Sequence, residues 1–224
     1  MCGIAGIYSN LPDVTASLES RLQALSGALS HRGPDGAGAW IDNTKGVGLI
    51  HRRLAIIDIS NRANQPMFSD DRRCILVFNG EIYNYKALRD YLAVKYGCVF
   101  GTSSDTEVIL ELYRCEGVSS FKKLLGMFSI AIFDNISGEL HLARDPYGIK
   151  PLYYEFDGSY FAFSSEVKAL QQGNRPRSPC PAGTLSFFLN GCIHEPFTLF
   201  DEIKSIPAGG VFTINMKRGK MLIS

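Results

Sequence analysis

The chain has 224 residues, 46% hydrophobic and 20% charged, with 23 Lys and Arg against 22 Asp and Glu for a formal net charge of +1. That is enough chain for one or two globular domains with a sizeable core, and the near-neutral balance without a basic block argues against a nucleic-acid partner. No apolar stretch approaches the roughly 20 residues of a membrane span, and the opening lacks a signal peptide's charged start and long apolar segment, so the sequence reads as cytoplasmic with no membrane partner.

The opening "MCGIAGIYSN" is a short apolar run, too brief for a helix and suited to a buried strand that starts at the terminus. Leu18, Leu22, Leu25 and Leu29 follow at helical spacing, and "HRGPDGAGAW" ends that helix in a loop through Gly33, Pro34 and Gly36. "GVGLIHRRLAIID" and "RRCILVFNG" are rich in Ile, Leu and Val and read as strands, separated by a polar connection. A helix is predicted from Tyr85 to Tyr96, ending at Gly97. A second opens at "SSDTEVILELY", where Ser104 and Glu107 have the spacing of a reciprocal capping box and Asp105 falls in the first turn.

"GMFSIAIFDNISGELHLARD" alternates, turns at Asn135 to Gly138 and alternates again, which describes a hairpin; "PLYYEFDGSYFAFSS" is a second one around Asp157 and Gly158. With helices at the start, in the middle and near Lys168, the pattern is α+β: two antiparallel sheets packed face to face and covered by helices. Six cysteines, Cys2, Cys74, Cys98, Cys115, Cys180 and Cys192, form no C-x-x-C pair, so disulfides are not expected. The spacing of Cys180, Cys192 and His194 fits no zinc motif, and no metal site is expected.

Cys2 has the unusual position. Aminopeptidase removes an initiator methionine when the next residue is small, which would leave a thiol and a free amine on one residue. The two groups titrate within about a unit of each other near neutral pH, so the amine can take the thiol proton directly or through a water. A small second residue alone proves nothing, but a thiol attacking an amide also needs oxyanion donors and groups that hold the substrate. Asn79 and Gly80 end an apolar strand as an amide side chain and an unobstructed backbone N–H, although Asn-Gly on its own more often marks a turn. For an amino-acid substrate, Arg52 or Arg53 could clamp a carboxylate, and Glu81 and Asp105 could receive an ammonium. Singly, each is more often a solvated surface charge or, for Asp105, a helix-dipole partner.

In order, "MCGIAGIY", "HRGPDG", "HRRLAIID", "NQPM", "FNGEIYNY", "SDTEVIL", "GMFSIAIFD" and "ARDPYGIKPLYY" resemble the glutaminase domain of glutamine-hydrolysing asparagine synthetases, class II glutamine amidotransferases. The resemblance runs from Cys2 to about Tyr154 and implies a four-layer αββα N-terminal nucleophile hydrolase fold. It implies that Cys2 is the nucleophile, with its freed amine as base, and that Asn79 and Gly80 form the oxyanion hole. Arg53 would grip the glutamine α-carboxylate, while Glu81 and Asp105, helped by backbone carbonyls near Ile56 and Ile57, would receive its ammonium. Arg32, Asp35 and "ARDPYGIKPLYY" read as structural. Sister families that feed a phosphoribosyl transferase or a sugar isomerase usually carry a histidine before Asn-Gly and lack "EIYNY", and the resemblance of "FNGEIYNY" with "HRRLAIID" points to the asparagine synthetase type.

The implied organisation is an amidotransferase domain over 2–190 and, over 191–224, an extension resembling the lead-in to a synthetase domain. The "SGGxDS" loop of that domain is missing, so adenylation is not expected here. ATP and Mg belong to the absent domain, and this one needs no cofactor. The expectation is a chain cut there or a natural fragment, with a lone amidotransferase as the alternative. The implied partners are glutamine and a synthetase domain or subunit that receives ammonia, and a homodimer stays compatible with the reading. Two rivals stand: another ammonia acceptor, or a silent domain that keeps Met1.

Overall fold

The computed structural model describes residues 1–54, 64–173, 175–216 and 220–223. In chain order the strands are β1 (Gly3–Ser9), β2 (Gly36–Asp42), β3 (Val47–Arg53), β4 (Met67–Phe68), β5 (Cys74–Ile82), β6 (Gly126–Asp134), β7 (Glu139–Arg144), β8 (Tyr153–Phe156), β9 (Tyr160–Ser164), β10 (Ile203–Ser205), β11 (Val211–Asn215) and β12 (Lys220–Ile223). The helices are α1 (Pro12–Ala16), α2 (Leu18–Ala28), α3 (Tyr85–Tyr96), α4 (Asp105–Glu116), α5 (Val167–Leu170) and α6 (Pro181–Asn190). Among the described residues the strands form two six-stranded antiparallel sheets, in the orders β10-β8-β9-β1-β3-β2 and β12-β11-β7-β6-β5-β4.

Three apolar cores hold four layers together. Leu18, Leu22, Leu25 and Leu29 present one face of the helical region to Ala5, Ile7, Ile50 and Ala162 on the outer side of the first sheet. Between the sheets, Ile4, Tyr8, Val47 and Leu49 meet Ile75, Val77, Ala131, Phe133, Leu140 and Leu142. On the far side, Cys74, Leu76 and Phe78 pack against Leu88 and Leu92 of α3 and Val108, Ile109 and Leu112 of α4. This is the α+β, αββα stack that the sequence predicts. β1 and β5 are central strands buried on both faces, which explains why they read as continuous apolar runs rather than as clean alternation.

The structure departs from the sequence expectations in three places. "GAGAWID" lies in the stretch read as a loop but forms β2, paired along its length with β3 from Gly36↔Arg53 to Asp42↔Val47; its glycines and alanines hide strand propensity that the neighbouring ladder supplies. The capping box is half formed. Ser104 Oγ accepts from the Glu107 N–H at 3.3 Å, but the Glu107 carboxylate turns to the N–H groups of Gly101 at 2.8 Å and Thr102 at 2.7 Å and to the Thr102 hydroxyl at 2.6 Å. Thirdly, residues after 190 supply strands to both sheets: β10 pairs with β8, and β11 pairs with β7.

Phe133 anchors the inter-sheet core, fully buried and in edge contact with Tyr8 at 5.6 Å between ring centroids and tilted contact with Trp40 at 5.5 Å. Phe133→Ala should cost about 3–5 kcal/mol of folding free energy in urea denaturation. A loss below about 1 kcal/mol would contradict a closed sandwich around that ring.

Candidate active site

Strand parity gathers the site. In β1 the even-numbered Ile4 and Tyr8 face the other sheet, and in β3 the odd-numbered Val47 and Leu49 do, as do Ile75 and Val77 in β5. Continuing each alternation toward the chain end of the sandwich places Cys2, His51, Arg53, Asn79 and Glu81 over the same gap. Register agrees: Gly3 pairs with Arg52, so Cys2 lies across from Arg53. The His51 ring faces the Phe78 backbone of the other sheet beside this point.

The Cys2 thiol lies against the chain just past β3, accepting from the Leu54 N–H at 3.3 Å and facing the Leu54 carbonyl at 3.5 Å. Arg32 fixes the residue from the other side, its Nε donating to the Cys2 carbonyl at 2.9 Å and its Nη1 to Glu166 Oε1 at 3.0 Å. Glu166 also faces His31 Nε2 at 2.8 Å; burial opposes its charge, but the His31 and Arg32 bonds hold its carboxyl below the usual range. The loop carrying Arg32 lies directly on β3, with the Asp35 N–H donating to the Arg53 carbonyl at 3.0 Å. A Cβ on Gly33 would stand 2.4 Å from the Arg52 carbonyl carbon, so only glycine lets that loop approach.

Across the gap, Asn79 is buried and its Nδ2 reaches Ser129 Oγ at 3.5 Å. Gly80 follows on a ladder so close to β6 that a Cβ would stand 2.1 Å from the Met127 carbonyl oxygen, so packing as well as access requires glycine. Asp105, the first residue of α4, is buried and accepts from the Ile82 N–H at 3.0 Å, which draws the helix start onto the end of β5. Burial lifts its carboxyl above the ordinary range, the Ile82 and Thr106 N–H groups oppose this, and the Glu81 charge adds to it. The Arg53 guanidinium donates to Asn64 Oδ1 at 2.7 Å and lines a pocket of about 90 Å³ with Asp35, His51 and Gln65. Ile56 and Ile57 lie outside the described residues.

Strand parity and register thus put Cys2, Arg53, Asn79 and Glu81 at one end of the inter-sheet gap, with Gly80 next to Asn79 on β5 and Asp105 held at the end of that strand. Among the described residues no cluster of His, Cys, Asp and Glu is placed to hold a metal, and no helix is long and apolar enough to cross a membrane. Cys180 instead caps α6, its sulfur accepting from the Gly183 N–H at 3.4 Å, while His194 meets Ser186.

The family model for the glutamine amidotransferase domain matches residues 1–222. The chain belongs to the glutamine amidotransferase domain family. It is 38% identical over 215 residues to asparagine synthetase [glutamine-hydrolyzing] 1 of Bacillus subtilis, covering 96% of this chain and 33% of that protein. Identity to asparagine synthetase B of Escherichia coli is 35% over 210 residues, covering 91% and 37%. The chain therefore spans about a third of the length of these curated relatives. Two solved structures share the fold across 100% of this chain. One is the glutamine phosphoribosylpyrophosphate amidotransferase of B. subtilis, with TM-score 0.64, 22% identity and 49% of that chain covered; the other is an allosteric regulatory enzyme of purine biosynthesis, with TM-score 0.67, 23% identity and 48% covered.

The candidate site includes residues that the sequence reading gave other duties. Arg32, read as a loop former, holds the Cys2 backbone. Asp145 is structural, as the motif suggested: it is fully buried and accepts from the N–H groups of Phe128, Tyr147, Ile149 and Lys150. Lys150, in the same motif, sends a buried ammonium to the start of the chain, where its Nζ meets Met1 Sδ at 3.1 Å. The Leu54 backbone was invisible because side-chain identity says nothing of a main-chain contact. The available signal was that Lys150 stands between the apolar Ile149 and Pro151 in that motif.

His51 gives the domain a measurable acid sensitivity. Burial first, then the Arg53 guanidinium, push the imidazole down to about 4, and its Nε2 has no hydrogen-bond partner. The unfolded chain binds this proton near pH 6.5 and the folded one near 4, so His51 favours folding above pH 6.5 and that contribution is lost as pH falls through this window. Urea titrations at about pH 7 and about pH 4.5 should show His51→Gln losing about 2 kcal/mol less stability than the parent. Equal losses in both would mean that His51 is not buried as a neutral ring.

Proposed function

We propose that the chain, once Met1 is removed, hydrolyses glutamine to glutamate and ammonia. The strand parity that sets Cys2, Arg53, Asn79 and Glu81 over one gap, with Gly80 and Asp105 at the end of β5, supports this reading. The freed Cys2 amine takes the thiol proton, and the thiolate attacks the side-chain carbonyl carbon of glutamine. Charge developing on the carbonyl oxygen meets the Asn79 amide and the Gly80 N–H. The ammonium formed on Cys2 then returns its proton to the departing nitrogen, leaving a γ-glutamyl thioester and ammonia. Water, deprotonated by the same amine, attacks the thioester and releases glutamate with Cys2 restored. The only co-reactant is water, so this step calls on no cofactor.

Arg53 holds the α-carboxylate in this reading, and Glu81 and Asp105, with the Ile56 and Ile57 carbonyls, receive the α-ammonium. The Arg53–Asn64 contact shows that the guanidinium already makes a short bond to an amide oxygen. A substrate ammonium beside Asp105 would offset the burial that lifts its carboxyl. Ammonia then passes to an ATP-dependent synthetase domain that makes asparagine in the cytoplasm, a reading supported by the names of the relatives the chain matches. A chain that retains Met1 has no free amine on Cys2 and is silent by the same chemistry.

Cys2→Ala should abolish glutamate release while leaving the unfolding transition in place, and retained hydrolysis would rule out this nucleophile. Asn79→Ala should lower kcat by about 10²–10³; a loss of only a few-fold would return Asn79 to a turn former. With Arg53→Ala, KM for glutamine should rise by a larger factor than kcat falls, because the clamp holds ground state and transition state alike.

A further inference from the structure

Lys150 ends the loop after β7, and its backbone is held from both sides. Its N–H donates to Asp145 Oδ2 at 3.0 Å, and its carbonyl accepts from Arg144 Nε at 2.8 Å. The side chain is only 5% exposed, yet among the described residues no carboxylate stands within ion-pair distance of its ammonium. Its hydrogen-bond partner is the Met1 thioether at 3.1 Å, a weak acceptor for a buried cation. The ammonium therefore abuts the residue whose removal creates the new amino terminus.

Charged groups surround this point from each neighbouring element. They are Arg32 in the turn after α2, Asp145 on the loop of Lys150 itself, Glu81 on β5 and the Cys2 thiol, and Arg53 on β3 stands across from Cys2. Burial and the Arg32 guanidinium push the Lys150 ammonium below its ordinary range, while Asp145, Cys2 and Glu81 offset part of that effect.

We propose that Lys150 keeps the amino group of processed Cys2 unprotonated near neutral pH, so that it is available to take the thiol proton. The inference deepens the glutaminase reading and rests on it. Two cations facing each other in a sheltered site repel, and the group with the weaker hold on its proton yields. An α-amine ordinarily titrates at roughly 7.7–8.0 and a lysine near 10.4, so the amine is the one that yields. When the amine later accepts the thiol proton, the same repulsion makes the resulting ammonium a stronger acid toward the departing nitrogen. Lys150 touches no reacting atom in this scheme and is a positioning residue that acts through the amine.

In the Cys2→Ala chain, Met1 removal exposes an amine with no thiol beside it, and competitive acetylation by acetic anhydride across pH reads that amine directly. Adding Lys150→Met should raise its half-titration by about one pH unit, whereas adding Lys150→Arg should leave it within about a third of a unit. The same titration point with Lys150→Met as without it would overturn the proposal, and Lys150→Gln serves identically if Lys150→Met does not fold. With Cys2 present, Lys150→Met should move the acidic limb of kcat/KM for glutamine upward by the same interval and recover activity at high pH. A uniform loss at every pH would make Lys150 merely structural and overturn the proposal. If unmodified, processed chain releases no glutamate at any pH, the glutaminase reading falls, and acetylation still decides the role of Lys150.

Discussion

Side chains on a strand alternate between its faces, so once two sheets pack together every second residue of their central strands is committed to the space between them. Over most of the sandwich that space is filled by Ile4, Val47, Leu49, Ile75, Val77 and Phe133. At one end the same alternation continues with Cys2, His51, Arg53, Asn79 and Glu81. The site is thus the polar continuation of the inter-sheet core. A one-residue slip of β1 or β5 would turn Cys2 or Asn79 toward the helices and empty the site. Buried apolar contacts elsewhere on those strands hold the register that the chemistry needs.

Polar groups at the end of a core are costly unless they are satisfied, and the domain satisfies most of them with backbone. Asp105 accepts from Ile82, the Cys2 thiol lies between the N–H and C=O of Leu54, and Arg32 reaches the Cys2 carbonyl. Asp145 collects four backbone N–H groups, and Arg144 binds the carbonyls of Lys150, Gly148 and Ile206, so the loop presenting Lys150 is fixed rather than draped. Among the described residues near Cys2, three groups remain poorly served: His51 Nε2 and Arg32 Nη2 have no partner, and the Lys150 ammonium has only a thioether. All three lie toward the Cys2 end of the gap. Local cost at a reactive centre sustained by a well-packed scaffold is a common arrangement in enzymes.

Much of this was readable from residues alone. Helical leucine spacing, the alternation in "GMFSIAIFD" and the turn at Asn135 to Gly138 each act locally, and each produced the predicted element. Strand β2 escaped because glycine and alanine carry little strand signal and its pairing with β3 is a tertiary event. Glu107 satisfied the spacing rule for a capping box, yet found better donors in the preceding loop. The strands after residue 190 were masked by their shortness, and they join sheets whose other members lie far away in sequence. Among candidate site residues, those with distinctive chemistry in distinctive strings could be named from the sequence. Arg32 and Lys150 could not, because what matters in them is where a long side chain ends.

The central claim is that the sulfur of Cys2, on a chain whose first residue it has become, attacks the side-chain amide of glutamine. Mass-spectrometric mapping after treatment with 6-diazo-5-oxo-norleucine, a glutamine-shaped electrophile, tests this most directly. The account predicts one adduct, on the sulfur of chains that begin at Cys2, and none on chains that still carry Met1. Label on another cysteine, or equal labelling of both chain forms, would contradict it.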